Sequence, residues 1–153
     1  MAPQNLKVEV ISEGTVIDHI PRGNWLKVVE ILGLTESNSG TLLIASNVPS
    51  KKLGRKDIVK IEGRHLTEEE VNKIALIAPK ATVNIVEDYR IVEKFTVEVP
   101  DFVEGILRCP NPRCVSNHEA VSPKFHVVSR DPLKLRCHYC ERTVEGDDIL
   151  KNL

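Results

Sequence analysis

Four cysteines are the residues of this chain whose types and spacing best suit a chemical role. They form two pairs in the last third of the sequence, Cys109 with Cys114 and Cys137 with Cys140, and the 22 residues from 115 to 136 separate the pairs. Two short cysteine loops joined by a long excursion can bring four thiolates to the corners of a tetrahedron, which is the geometry that Zn²⁺ prefers. Because a Cys₄ site is closed to water and substrate, we expect one structural zinc ion per chain and no metal chemistry.

Two disulfides in a secreted protein are the alternative reading of the same cysteines. No apolar signal segment precedes Lys7, and no cysteine occurs before Cys109. Both facts favour a reducing compartment, so we expect zinc and a cytoplasmic location. His138 lies inside the second cysteine pair and is a weaker ligand candidate, since four thiolates already complete the site.

Composition argues against two classes of function. The segment from residue 101 to 153 carries eight Lys or Arg against eight Asp or Glu, and aromatic residues make up only 4% of the chain. A basic footprint and stacking rings for nucleic acid are therefore missing. No apolar run approaches the roughly 20 residues that a membrane-spanning helix needs, so we expect no membrane contact.

Catalytic motifs are also absent from the sequence. It contains no glycine-rich phosphate loop, no Gly-x-Ser-x-Gly elbow and no His-Glu-x-x-His pattern, and its five histidines are scattered. The residues by themselves therefore predict a protein that is not an enzyme.

Apolar periodicity divides the chain into two units, residues 1–100 and residues 101–153, with the break at Pro100. The second unit is too small to fold securely on apolar burial alone. Structural zinc contributes about 10 to 16 kcal/mol in small zinc modules, which is as much as a typical domain's whole stability. We therefore expect zinc to stabilise a small all-β domain with short strands at 102–107, 124–128, 133–136 and near Thr143.

Strand and helix periods alternate along the first unit. Asn24 is a candidate cap for a helix over 25–32, and Thr67 with Glu70 forms a capping box for a helix that ends at Pro79. We expect strands at 7–11, 14–21, 41–48, 57–62, 82–86 and 90–99, with a polar loop over 49–55. This order predicts an α+β fold, a ferredoxin-like antiparallel sheet with two helices on one face.

Several sequence blocks resemble one protein family in their order and spacing. The chain is similar to the regulatory chain of aspartate carbamoyltransferase over nearly its whole length, on these blocks: Gly14–Pro21, Gly54–Asp57 with Lys60–Glu62, Ala78-Pro79 with Ala81–Asn84, and Cys109–Asn111 through Cys140-Glu141. The resemblance implies a non-catalytic subunit. Its first domain would bind ATP, CTP or UTP, its zinc domain would dock on the catalytic chain, and regulatory dimers would bridge two catalytic trimers.

The resemblance also implies a nucleotide site. Its residues would be Val8, Glu9, Ile11, Asp18, His19, Lys60, Asn84, Tyr89 and Lys94. The first three would line the base and sugar region, Asp18 would lie near ribose, His19 near phosphate, Tyr89 at the base, and Lys94 at the triphosphate. Each residue also has a plain structural reading as a strand end, a solvated strand face or a packed hairpin aromatic.

A second set of residues is implied for the contact with the catalytic chain: Asn111, Glu119, Arg130, His138, Tyr139, Glu141 and Arg142. Two alternatives remain open from the sequence. A zinc-ribbon adaptor in transcription or RNA handling would use Arg130, Lys134, Arg136 and Arg142 as a basic strip, although the neutral local charge opposes it. A nucleotide sensor that acts alone would form no complex with another protein.

Overall fold

The fold is described from a computed structural model that covers residues 11–34 and 40–153. The chain forms two compact units, one up to Val97 and one from Glu98 to Leu153. Of the strand predicted over 7–11, only Ile11 lies within the described residues. In the ranges given, no helix has the length and apolar character needed to cross a membrane.

Within the described residues, the first unit contains a five-stranded antiparallel sheet and two helices of more than one turn. Its elements are β1 (Gly14–Pro21), α1 (Trp25–Ile31), β2 (Leu42–Ser50), β3 (Gly54–Glu62), α2 (Glu68–Ile77), β4 (Thr82–Glu87) and β5 (Arg90–Thr96). The strand order is β2-β3-β1-β4-β5, and each neighbouring pair is antiparallel. The first four strands have the split βαβ arrangement, and β5 extends the sheet as a hairpin. The predicted α+β, ferredoxin-like class is confirmed.

One face of this sheet forms the core with the two helices. Ile17, Val59 and Val83 occupy adjacent strands and are fully buried. Val28 of α1 and Ile74 of α2 are buried as well, and the two helices contact each other. Since side chains alternate along a strand, the residues between these core positions point to the opposite face of the sheet.

Two details of the first unit differ from the sequence-based expectation. The predicted loop over 49–55 is shorter, because β2 continues to Ser50 and β3 begins at Gly54. Asn24 makes no capping bond to α1; its Nδ2 instead donates to the Ile77 carbonyl at 3.2 Å. That bond joins the start of α1 to the end of α2, so a tertiary contact replaces the local cap.

The capping box at α2 is confirmed. Thr67 Oγ1 accepts from the Glu70 N–H at 3.2 Å, and Glu70 Oε1 accepts from the Thr67 N–H at 3.0 Å. Arg64 pairs with the Glu70 carboxylate and also donates to the Leu32 carbonyl at 2.7 Å. Burial opposes the charged form of Glu70, but the Thr67 N–H and the Arg64 charge outweigh it, so the pKa of Glu70 is lowered.

The second unit contains a four-stranded antiparallel sheet. Its elements are β6 (Phe102–Glu104), a 3₁₀ turn (Val115–Asn117), β7 (Lys124–Arg130), β8 (Leu133–Cys137), β9 (Thr143–Glu145) and α3 (Asp147–Lys151). The strands are ordered β6-β7-β8-β9. β6 is shorter than predicted, and the chain leaves it at Gly105, where φ is +74°. α3 has no counterpart among the elements predicted from the sequence.

Replacing Thr67 by Ala removes the side-chain half of the capping box. We expect the free energy of unfolding of the first unit to fall by about 1 kcal/mol, the usual cost of losing a threonine cap. Urea denaturation monitored by circular dichroism measures the change. Thr96→Ala, at an exposed position of β5, is the matched control, and an equal loss in both variants would contradict the role of the cap.

Candidate functional site

Four cysteine thiols converge in the second unit, as the spacing predicts. Cys137 is the last residue of β8, and Cys114 directly precedes the 3₁₀ turn. The Sγ atoms of Cys109, Cys114, Cys137 and Cys140 all lie within 4.8 Å of one another. The Sγ–Sγ distance is 3.7 Å between Cys109 and Cys140 and 3.6 Å between Cys114 and Cys137, and all four thiols are free.

These distances fit a tetrahedral metal ion. With Zn–S bonds of about 2.3 Å, the edges of a regular sulfur tetrahedron measure about 3.8 Å. Asn117 fixes the first cysteine loop, because its Nδ2 donates to the carbonyls of Cys109 and Asn111 at 3.0 and 2.8 Å. The donor set is therefore four sulfurs with a shaped backbone around them. Zinc bound there would link the two cysteine loops and would have no free coordination position.

The four thiols differ in acidity. Burial raises the pKa of the Cys109 thiol above its usual value. Burial acts the same way on Cys140, but hydrogen bonds from the Arg142 N–H and from Asn111 outweigh it and lower the pKa of Cys140 to about 7. Hydrogen bonds from Ser116 outweigh burial at Cys114 and lower the pKa of its thiol as well. Since a metal binds thiolates, metal binding would release protons from the thiols whose pKa burial raises, Cys109 and Cys137.

A cavity of about 390 Å³ lies in the first unit, on the sheet face opposite the helices. Six of the nine predicted nucleotide-site residues line it: Ile11, Asp18, Lys60, Asn84, Tyr89 and Lys94. Val8 and Glu9 lie outside the described residues. His19 is not in the lining, but its Nδ1 lies 4.0 Å from Oδ1 of Asp18, which is.

Strand register places three of the polar residues in one row. Val16 of β1 pairs with Lys60 of β3 on one side and with Asn84 of β4 on the other, and Asn84 pairs with Lys94 of β5. Directly paired residues of an antiparallel sheet point to the same face. Lys60 is only 5% exposed and Asn84 only 8%.

Asn84 carries an unsatisfied hydrogen-bond acceptor. Its Oδ1 is buried, and within residues 11–34 and 40–153 no group donates to it. A buried carbonyl without a donor costs about 1 to 3 kcal/mol. Since Asn84 lines the cavity, a bound molecule with an N–H or O–H group could supply the missing donor.

A bulge in β1 brings Asp18 and His19 to the cavity side together. The β1–β3 register shifts between Ile17 and Ile20, and His19 has a left-handed φ of +60°. His19 Nδ1 lies 3.0 Å from Thr82 Oγ1, and Asp18 forms an ion pair of 2.9 Å with Lys56. Burial lowers the pKa of His19, and the nearby charges of Lys56, Lys52 and Lys94 add to this effect against the opposing charge of Asp18.

Tyr89 lies at the tip of the β4–β5 hairpin. Asp88 and Tyr89 are its two central residues, with φ values of +51° and +64°, which is a type I′ turn. Glycine and asparagine are the usual residues there, so a tyrosine costs conformational energy. Its side chain is 65% exposed at the cavity mouth.

Four apolar residues of the lining were not predicted from the sequence: Val16, Ile58, Val86 and Ile91. A signal for two of them was present. Ile58 lies two residues before Lys60, and Val86 lies two residues after Asn84, so strand alternation puts each on the face of its predicted neighbour.

The residues implied at the partner surface lie around the cysteine cluster and on β7. Tyr139 donates its hydroxyl proton to the Ser122 carbonyl at 2.9 Å, and His138 Nδ1 lies 2.9 Å from His126 Nε2. The ring of Phe102 packs against that of His126, with centroids 5.1 Å apart. Asn111 accepts from the Arg113 N–H at 3.1 Å. Glu141 follows the last cysteine with a left-handed φ of +64°, while Glu119 and Arg142 are exposed.

The proposed basic strip is partly neutralised. Arg130 pairs with Asp101 at 2.5 Å, and Lys134 pairs with Glu145 at 3.4 Å. Arg130 also donates to the Val99 carbonyl at 3.1 Å. These contacts do not favour a nucleic-acid surface on this side of the second unit.

Comparison with known proteins relates both units to one protein family. Residues 6–98 match the profile of the aspartate carbamoyltransferase regulatory chain, allosteric domain, and residues 101–150 match that of its metal binding domain. The chain is similar to the aspartate carbamoyltransferase regulatory chain of Thermococcus kodakarensis, with 78% identity over 99% of each chain. The regulatory chain of Pyrococcus abyssi is 70% identical over 97% of this chain and 98% of its own.

A more distant relative, the aspartate carbamoyltransferase regulatory chain of Hyperthermus butylicus, is 57% identical over 97% of this chain and 94% of its own. The similarity therefore extends over both units, the one with the antiparallel sheet and the one with the cysteine cluster. The chain therefore belongs to the aspartate carbamoyltransferase regulatory chain family, as a non-catalytic subunit of an enzyme complex with one allosteric and one metal-binding domain.

Proposed function

We propose that the first unit binds the nucleoside triphosphates ATP, CTP and UTP as allosteric effectors in the 390 Å³ cavity. The observation that carries the proposal is the buried Oδ1 of Asn84, to which no group of the described residues donates. Buried acceptors without a donor are rare in folded proteins, so each one calls for an explanation, and a bound ligand would supply it here. The cavity volume lies within the range of about 300 to 1,000 Å³ that is usual for small-molecule sites.

Charge around the cavity suits a triphosphate. Lys60 and Lys94 lie on either side of Asn84 in the row, and Lys52 and Lys56 act on the nearby His19. Ammonium groups form strong charge-assisted hydrogen bonds with phosphate oxygens, so this site needs no glycine-rich loop.

The remaining lining suits a base and a sugar. Ile11, Val86 and Ile91 supply apolar surface, and Tyr89 supplies an exposed ring at the mouth. A flat base packs favourably against such surfaces. Asp18 offers carboxylate oxygens to ribose hydroxyls.

The second unit has the separate role of docking. We infer that zinc held by the four cysteines shapes a surface that binds the catalytic chain of aspartate carbamoyltransferase, and that dimers of this chain bridge two catalytic trimers. The contact residues would be Asn111, Glu119, Arg130, His138, Tyr139, Glu141 and Arg142. Exposed positions among them, such as His138 and Arg142, suit such a contact.

Regulation then follows from differential binding. An effector shifts the equilibrium between two states of the enzyme only by the difference in its affinity for them, typically about 1 to 3 kcal/mol. We propose that ATP favours the active state and that CTP, alone or with UTP, favours the inactive state. This would be end-product feedback on pyrimidine synthesis in the cytoplasm.

Removing the ammonium group of Lys94 tests the triphosphate site. We expect Lys94→Ala to weaken CTP binding at least tenfold, because an interaction of charged hydrogen-bonded groups is lost. Isothermal titration calorimetry on the full chain measures the dissociation constant. Lys73→Ala removes the same charge from α2, on the other side of the sheet, and serves as the control. Equal affinities for the Lys94 variant and the native protein would exclude Lys94 from the site.

The lowered pKa of His19 predicts a pH effect on binding. His19 is neutral in the free protein near pH 7, and a neighbouring phosphate would stabilise its protonated form and raise its pKa. Nucleotide binding would then be coupled to protonation of His19, so the affinity for the nucleotide should increase as the pH falls from about 8 to about 6. Because the nucleotide itself also gains protons in this range, the quantity to measure is the ratio of native to His19→Gln affinity. A ratio that is constant with pH would place His19 away from the phosphates.

Metal removal tests the role of the cysteine cluster. We expect a chelator to unfold residues 98–153 and to leave the first unit folded, since zinc supplies most of the small unit's stability. Amide NMR spectra with and without zinc distinguish the two units. Persistence of all second-unit signals after complete metal loss would show that the fold does not need the ion.

Binding to the catalytic chain can be measured with the same metal-loaded and metal-free samples. The metal-loaded chain is mixed with aspartate carbamoyltransferase catalytic trimers, and the products are weighed by native mass spectrometry. We expect a complex with zinc and free trimers without it.

A further inference from the structure

Asp57 is a buried carboxylate that the proposed effector site does not use directly. It is fully buried in β3 and does not line the cavity. Its Oδ2 accepts from the N–H groups of Gly23 at 2.8 Å and Trp25 at 3.2 Å. Its Oδ1 accepts from Ser46 Oγ at 2.8 Å and from the Asn47 N–H at 2.9 Å.

These four bonds reach β2 on one side of β3 and the segment that follows β1 on the other. Gly23 lies in the turn after β1 and Trp25 is the first residue of α1, whereas Ser46 and Asn47 belong to β2. A carboxylate is an acceptor only, with room for about four donors, so this environment satisfies it completely. The side chain therefore acts as a clamp that ties β3 to β2 and to the segment that follows β1.

Both flanking strands have a bulge beside the clamp. In β1, the three steps from Ile17 to Ile20 oppose the two steps from Val59 to Asp57. In β2, the register shifts in the same way between Ala45 and Val48. Each bulge contains a non-glycine residue in the left-handed region, His19 at +60° and Asn47 at +61°. Such residues cost conformational energy and persist when their surroundings hold them.

The β1 bulge has a direct consequence for the cavity. Ile17 and Ile20 are both fully buried, although residues three apart in a regular strand point to opposite faces. The extra residue lets both isoleucines enter the core while Asp18 lines the cavity and His19 reaches Thr82 on β4. The bulge ends at Ile20, which pairs with Asp57 itself.

We propose that Asp57 is a positioning residue for the effector site, which holds the β1 bulge so that Asp18 and His19 face the bound nucleotide together. Asp57 acts through the backbone, by fixing the turn that follows β1 and the bulge of β2. The expected effect of Asp57 on nucleotide affinity rests on the proposed nucleotide site. The expected effect of Asp57 on the position of the His19 ring does not depend on a ligand.

Asp57→Asn is the test. The variant keeps the size of the side chain but replaces one acceptor oxygen by an NH₂ donor, which must then face N–H groups. In the free protein we expect the Nδ1 and Nε2 NMR signals of His19 to move from their native positions as the contact with Thr82 is lost. We expect the dissociation constant for CTP, measured by calorimetry at a temperature where the variant is folded, to rise about tenfold.

Two further variants separate positioning from general destabilisation. Ile74→Ala removes buried surface from α2 and should lower the melting temperature while leaving CTP affinity and the His19 signals unchanged. Ser46→Ala removes one of the four bonds to Asp57 and should give changes of the same kind as Asp57→Asn, but smaller.

The outcomes distinguish the two proposals. Native His19 signals in folded Asp57→Asn and Ser46→Ala would overturn the positioning role, whatever the affinity. If the native protein fails to bind CTP while the His19 signals still move in the variants, the effector site is wrong and the clamp stands. If Ile74→Ala lowers CTP affinity as much as Asp57→Asn does, general destabilisation explains the effect of Asp57, and the proposal is wrong.

Discussion

The register of the antiparallel sheet is the constraint on which the candidate effector site depends. Lys60, Asn84 and Lys94 come from three different strands and share a row only because Val16 pairs with Lys60 and Asn84 at once. A slip of one residue would turn each side chain to the helix-covered face. Such a slip would bury ammonium groups in the apolar core, so the same hydrophobic pattern that folds the unit also fixes the row.

The two units of the chain use different sources of stability. The first buries valines and isoleucines between its sheet and its two helices. The second places four thiols within 4.8 Å of one another, an arrangement that holds its geometry most securely around a metal ion. With an effector cavity on the first unit and a metal-shaped surface on the second, effector binding and contact with the catalytic chain would each have a separate domain.

Much of this architecture could be predicted from residue patterns. The cysteine spacing indicated the metal cluster, the capping box located the start of α2, and apolar periods gave the α+β class. Patterns of this kind are local or strictly periodic, so a single sequence contains them. The prediction of a nucleotide site depended on family resemblance, because Lys60 and Lys94 by themselves look like ordinary strand lysines.

The features that sequence reasoning missed have tertiary causes. Asn24 is a good capping residue, but its side chain contacts the end of α2 instead. The bulge at His19 has no sequence signature of its own, and a buried carboxylate 38 positions further along, Asp57, lies beside it. The shortened loop between β2 and β3 and the five-residue α3 depend equally on contacts that form only in the folded chain.

The side-chain amide of Asn84 gives the most direct measurement of the central claim. In an ¹⁵N-labelled full chain, its Nδ2 signals are followed by NMR while CTP is added. If the cavity is the effector site, these signals shift and saturate together with the binding curve from calorimetry, because the ligand donates to the adjacent Oδ1. Saturable CTP binding that leaves the Asn84 amide signals in place would contradict the account.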